Sequence, residues 1–161
     1  MNVSESSAAL DSIQNCVEGC TFRTEGVGDH ALYTDTIARN NVHTICPVDQ
    51  WHTVKLVFND FDLAPGDQLI VHEGQDIIAT DPIATWTGTG VSQTGGWIAA
   101  NCDPGVNPSG CLTFNFMTNG DNQKGTGWNA TATCVDRGIE LSATIETVSY
   151  THLTLPTIYS V

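Results

Sequence analysis

The chain has 161 residues, enough for one ordinary domain with a buried core, and its 15 Gly and 6 Pro argue against a helical bundle. Five Lys plus Arg stand against eighteen Asp plus Glu, a formal net charge of −13. That balance opposes binding to nucleic-acid phosphates or to an anionic bilayer, and favours cationic or neutral partners such as extracellular proteins and glycans. No run reaches the roughly 18 apolar residues of a membrane span, so no membrane insertion is expected. Residues 1–15 lack the basic and apolar regions of a secretion signal and read as a linker in a truncated, larger multidomain chain whose signal lies upstream.

Cys16 and Cys20 come next, followed by Cys46, Cys102, Cys111 and Cys134. An even number bracketing the patterned sequence points to an oxidising compartment. Zinc is the competing reading of the Cys16 and Cys20 pair, but the other cysteines lack paired CxxC or HxxxH spacing. Spacing does not fix connectivity; the pairing adopted is Cys20 with Cys46, Cys102 with Cys111, and Cys16 with Cys134. A bridge between Cys102 and Cys111 would clamp a segment with little apolar content of its own.

Between Cys20 and Cys134 short period-two bursts are closed by Gly, Pro, Asn or Asp, the pattern of antiparallel strands. They fall at 21–24, 43–46, 52–58, 68–72, 77–86, 97–100, 112–116 and 128–134. In the third, Val54, Leu56 and Phe58 oppose Thr53 and Lys55; Leu112, Phe114 and Phe116, then Trp128, Ala130 and Ala132, repeat the alternation. One face is core and one is wet. Ala64-Pro65-Gly66-Asp67, Asp103-Pro104-Gly105, Asn107-Pro108-Ser109-Gly110 and Asn119-Gly120-Asp121 supply turn chemistry. The fold class is all-β, a two-sheet antiparallel sandwich.

Phe58-Asn59-Asp60-Phe61-Asp62-Leu63, then Asp67-Gln68-Leu69-Ile70-Val71-His72-Glu73-Gly74, resembles the CUB pattern F-x-x-F-D-L followed by D-x-L-x-V-x-x-G. Ser109-Gly110-Cys111-Leu112-Thr113-Phe114-Asn115-Phe116-Met117-Thr118-Asn119, closing through Gly127-Trp128-Asn129-Ala130, resembles the family's final strands. The pieces Thr44-Ile45-Cys46-Pro47 and Ser109 to Phe114 resemble the bacterial branch of large secreted or surface proteins, including gliding-motility-associated, adhesin-like ones.

The resemblance spans about Thr21 to Cys134. It implies a CUB-like jelly roll that recognises proteins or glycans without chemistry of its own. It also implies calcium, held through a Glu after F-D-L, the Asp of D-x-L-x-V and an Asp of the final block. Those positions hold Ala64, Asp67 and Asn119, and calcium takes six to eight oxygens. The expectation is therefore a substitute set of Asp62, Asp67, Asn119 and Asp121, weighed against turn-capping residues that face water.

No catalytic constellation is legible: there is no GxSxG, HExxH or P-loop, and Gly88-Thr89-Gly90 and Gly95-Gly96 lack a strand-to-helix context. His30, His43, His52 and His72 are dispersed, with His52 and His72 the one pair that neighbouring strands could bring together. Trp51, Trp86 and Trp97 lie at strand ends or turn-rich stretches and are candidates to stack on a ligand, with burial in the core as the alternative. Trp128 occupies the family's buried aromatic position. Asn2-Val3-Ser4 and Asn129-Ala130-Thr131 fit the N-glycan sequon.

Residues 148–157 resemble the in-frame translation of a sequencing-library adaptor, so 147–161 is set aside as an artefact and 135–146 as linker or the edge of a following domain. The domain is placed at 16–134. The expected function is a non-catalytic extracellular recognition or adhesion module of a larger secreted or surface protein. Its alternative is an accessory targeting domain of a secreted peptidase or other hydrolase.

Overall fold

The structure is a computed structural model that describes residues 2–3, 12–13, 20–24, 32–77 and 81–138. Among the described residues, ten strands form two five-stranded sheets. They are β1 (Asn2–Val3), β2 (Ser12–Ile13), β3 (Cys20–Arg23), β4 (Arg39–Ile45), β5 (His52–Asp62), β6 (Gln68–Glu73), β7 (Pro82–Trp86), β8 (Trp97–Ala99), β9 (Leu112–Thr118) and β10 (Gly127–Asp136). One sheet has the order β1-β3-β10-β5-β8 and the other β2-β4-β9-β6-β7. The long ladders are antiparallel; β1 and β2 join β3 and β4 in parallel. The all-β sandwich read from the alternation is the observed architecture.

The core lies between the sheets. Val54, Leu56 and Phe58 of β5, Trp128, Ala130 and Ala132 of β10, and Phe22 of β3 meet Ile45, Leu69, Val71, Leu112, Phe114 and Phe116 of the other sheet. Phe58 and Phe61 are both buried although three residues apart, which strict alternation forbids. The β5–β10 register explains it: Ala130 faces Phe58 while Asn129 faces Asp60, leaving Asn59 as the extra residue of a β-bulge. Rings then pack in tilted and edge-to-face pairs. Phe22 touches Phe114 at 4.8 Å and Trp128 at 5.3 Å, and Phe116 touches Trp128 at 5.0 Å and Tyr33 at 5.2 Å.

The cysteines pair differently from the expectation. The β4–β9 ladder runs from Arg39 opposite Thr118 to Ile45 opposite Leu112. One step further, Cys46 meets Cys111 at a Cα separation of 4.2 Å, and the two are disulfide-bonded. Neither Cys20–Cys46 nor Cys102–Cys111 is therefore formed, and Cys102 is a free, exposed thiol. Cys134 is disulfide-bonded, while Cys16, its expected partner, lies outside the described residues.

The segment expected to need a disulfide clamp, 102–111, is held by hydrogen bonds. The Asp103 carbonyl accepts the Val106 and Asn107 amides, and the Asn107 side chain donates to the Cys111 carbonyl at 2.9 Å and to Glu73. Just past β10, buried Arg137 donates to the carbonyls of His52, Cys102, Asn107 and Pro108. A guanidinium's fork of five donors suits such a cage of carbonyls.

Candidate functional site

Three stretches meet at one end of the sandwich: 33–38 before β4, the β5–β6 turn at 63–67, and the β9–β10 loop at 119–126. Tyr33 anchors the first. Its ring packs edge-on to Phe116, its amide donates to the Gly125 carbonyl at 3.1 Å, and its hydroxyl donates to Asp67 Oδ2. The same hydroxyl accepts the Ala64 amide at 2.8 Å. Asp67 Oδ1 accepts the Asn119 amide at 3.0 Å. Burial pushes the Asp67 carboxyl above the usual carboxylate range; Tyr33 and Asn119 oppose this, and the charges of Asp35 and Asp121 add to it. Burial likewise drives the Tyr33 phenol upward, with Asp67 adding to it.

Glycines let the turns close this tightly. Gly66 has φ +93°, and a Cβ there would lie 2.2 Å from Asn119 Nδ2. Gly120 has φ +76°, and a Cβ would meet the Ala38 amide nitrogen at 2.5 Å. This close approach lets the Gly120 amide donate to Asp35 Oδ1 at 2.8 Å, and the Asn122 amide donates to the Asp35 carbonyl at 2.8 Å. Asp35 is completely buried, and its Oδ2 has no hydrogen-bond partner. The Asn119 side chain spans Pro65 and Asp121, and Asp121 accepts the Gln123 amide at 2.8 Å. The Gln123 amide is the main cause that holds the exposed Asp121 carboxyl low, helped by Asn119 and Asp35.

Of the four oxygen donors expected from the sequence, Asp67, Asn119 and Asp121 share this cluster. Asp62 does not: its Oδ1 accepts from the Thr89 hydroxyl at 2.7 Å and its Oδ2 from the Thr126 amide at 2.8 Å and hydroxyl at 3.2 Å. Burial raises the Asp62 carboxyl, but these donors outweigh it and hold it below the usual range. Asp35 takes its place in the cluster. It stands outside every motif read from the sequence, and no local pattern marks it. As they stand, no three His, Cys, Asp or Glu side chains among the described residues converge closely enough to hold a metal.

The tryptophans divide. Trp86 is buried edge-on against Phe58 and Phe61, at 5.1 and 6.4 Å, and serves the core. Trp128 is buried as expected. Trp97, on edge strand β8, is 58 % exposed, with Lys55 Nζ 5.0 Å over its ring and exposed Val57 directly opposite in the ladder. Trp51 is also exposed, in the turn before β5. His52 and His72 lie on strands of different sheets, and His52 Nδ1 pairs with Asp49 at 2.6 Å. His43 is buried near Phe22; His30 lies outside the described residues.

No family model and no curated protein matches this sequence. Solved structures do. The chain is similar to the CUB1-EGF-CUB2 domains of rat MASP-1, with a TM-score of 0.58 and 17 % identity over 82 % of this chain and 47 % of that one. It is similar to the full extracellular region of zebrafish Gpr126/Adgrg6, with a TM-score of 0.57 and 12 % identity over 81 % of this chain and 15 % of that one. It is also similar to the MASP-1 CUB2 domain bound to Ca2+, with a TM-score of 0.51 and 15 % identity over 76 % of this chain and 96 % of that one. The chain thus spans less than half the length of the first two. The sandwich is CUB-like in fold.

Proposed function

We propose that this domain is a non-catalytic recognition module of a larger extracellular or surface protein, binding a protein or glycan through the sheet face around Trp97. The observation that carries this is Trp97 itself. Two of the four tryptophans fill the core, yet Trp97 presents most of its ring to solvent beside Lys55 and Val57. A large aromatic left outside a core forgoes its burial free energy, and such residues are enriched as anchors where partners bind. An indole face stacks on a sugar ring, and the flanking ammonium reaches the sugar's hydroxyls or a partner carboxylate. The acidic remainder of the surface favours neutral or cationic partners.

Supporting the extracellular setting are the disulfides and a fold shared with modules of multidomain chains. The motifs around Thr44 to Pro47 and Ser109 to Phe114 favour a bacterial secreted or surface parent with an adhesive role. The test is binding of the oxidised 161-residue chain to glycan and protein arrays. Reproducible capture on a defined subset supports the reading. Hydrolysis of a substrate by the chain, or an array with no specific capture, contradicts it.

A further inference from the structure

We infer that the outward face of the β1-β3-β10-β5-β8 sheet binds a neutral, extended glycan, which lies across the strands along the row Trp97, Val57, Thr131 and Thr21. This rests on the reading of Trp97 as the binding anchor and goes beyond it by naming the ligand class and the residues that continue the site.

The row follows from register. Val57 stands opposite Trp97 across β5 and β8; Thr131 stands opposite Val57 across β5 and β10, and opposite Thr21 across β3 and β10. Their chain neighbours Leu56, Phe22, Ala130 and Ala132 are buried between the sheets and Ile98 packs against that core, so alternation turns all four outward. Trp97, Val57 and Thr131 are exposed and Thr21 is half-buried. Four strands spaced by about 4.8 Å make a platform about 14 Å long, room for about three pyranose units end to end. The other sheet offers no such platform, because its outward residues Thr44, His72, Thr113 and Asn115 are all buried.

The carrying observation is the way Asn59 and Thr131 are held. Asn59, the extra residue of the bulge, donates through Nδ2 to Thr131 Oγ1 at 3.2 Å, and the pair is exposed. That bond occupies a lone pair of the hydroxyl and leaves its hydrogen to donate, while Asn59 Oδ1 is left to accept. A donor and an acceptor held side by side match two adjacent hydroxyls of a sugar, since each of these both donates and accepts. Trp97 supplies the apolar surface on which the C–H face of a ring stacks. A protein-binding patch centres on a cluster of aromatic and arginine anchors. Here a single indole is continued by Val57 and by threonine hydroxyls.

Charge narrows the ligand from both sides. Nothing in the row is ionised. On the same face Lys55 lies over Trp97 and Arg23 follows Thr21 by two residues, against Asp60, and no described carboxylate pairs with either cation. A basic ligand therefore meets Lys55 and Arg23, whereas a polyanion meets a chain of net charge −13. A ligand without charge is opposed by neither.

The experiment is calorimetric titration of the oxidised full chain with cello-, chito- and manno-oligosaccharides of increasing length. Acidic alginate and basic chitosan oligomers are run in parallel, and amide chemical shifts map the complex. The variants are Thr131→Val and, as a control on the opposite sheet, Thr85→Val, also at an exposed position. The expected result is saturable binding of a neutral oligosaccharide that strengthens up to about three units and then levels. Both charged oligomers should bind more weakly, and the shifts should centre on Val57, Asn59, Trp97 and Thr131. Thr131→Val keeps the β-branch and loses the hydroxyl, so it should melt within about 2 °C of the parent and bind on the order of fivefold more weakly. Thr85→Val should match the parent. Preference for a charged oligomer, or a Thr131→Val variant with the parent's affinity, overturns the inference. A protein partner that is lost on Trp97→Ala, with no neutral glycan bound, overturns the inference alone and leaves the reading of Trp97 standing. Absence of any glycan or protein partner removes both.

Discussion

Tyr33 donates its hydroxyl to Asp67 while the same oxygen accepts the Ala64 amide, so a single phenol joins the segment before β4 to the turn between β5 and β6. Its ring meanwhile rests on Phe116 in the core. The geometry of the acidic cluster is thus set from the hydrophobic interior. Tyr33→Phe keeps the ring contact and removes both hydrogen bonds, leaving Asp67 and the Ala64 amide short of a partner. The expected cost is about 1–3 kcal/mol, measured as a lowered urea midpoint with unchanged slope.

The Cys46–Cys111 bridge closes a loop across a separation of 65 residues. By chain entropy such a bridge stabilises by about 4 kcal/mol. Cys46→Ala with Cys111→Ala should lower stability by that order, whereas Cys102→Ser should change it by less than about 0.5 kcal/mol. Non-reducing peptide mapping supplies the direct check: a peptide joining Cys102 to Cys111 would refute the assignment.

Arg137 holds four backbone carbonyls in place, among them that of buried Asn107. Arg137→Ala should cost about 2–3 kcal/mol and loosen 102–110 specifically. Hydrogen exchange at the amides of Val106, Asn107 and Gly110 would show it. Faster exchange spread evenly over all strands would point instead to a global loss.

Asp62 gives a pH dependence of definite sign. Its folded carboxyl lies below the ordinary value of 3.8, so its contribution is present above pH 3.8 and is lost as pH falls through the lower folded value. Asp62→Asn should therefore show a shallower decline of unfolding free energy between pH 4 and pH 2 than the parent. The difference should be about 1 kcal/mol or less, because the group is partly solvated. Equal slopes would rule this contribution out.

Much of the fold was legible because period-two alternation marks the inward faces of β5, β9 and β10 directly. The bulge at Asn59 was not, since an extra residue breaks the period without a composition signal of its own. The Cys46–Cys111 bridge follows at once from Ile45 facing Leu112, but that register needs β4 and β9 as known neighbours, and Ile45 and Leu112 are 67 residues apart in sequence. Loop clamping was assigned to Cys102 because a disulfide is visible in sequence, whereas the carbonyl cage around Arg137 exists only once strands are assembled. Asp35 was missed for the same reason. Nothing local distinguishes it from a surface acid until Gly120 and Asn122 arrive from the other end of the chain.

The most direct test of the recognition reading compares the parent with Trp97→Ala on the same glycan and protein arrays, followed by titration of the strongest partner. The ring is exposed, so the variant should keep the parent's melting temperature while its affinity falls at least roughly tenfold, about 1.4 kcal/mol. Undiminished binding by Trp97→Ala would contradict the account.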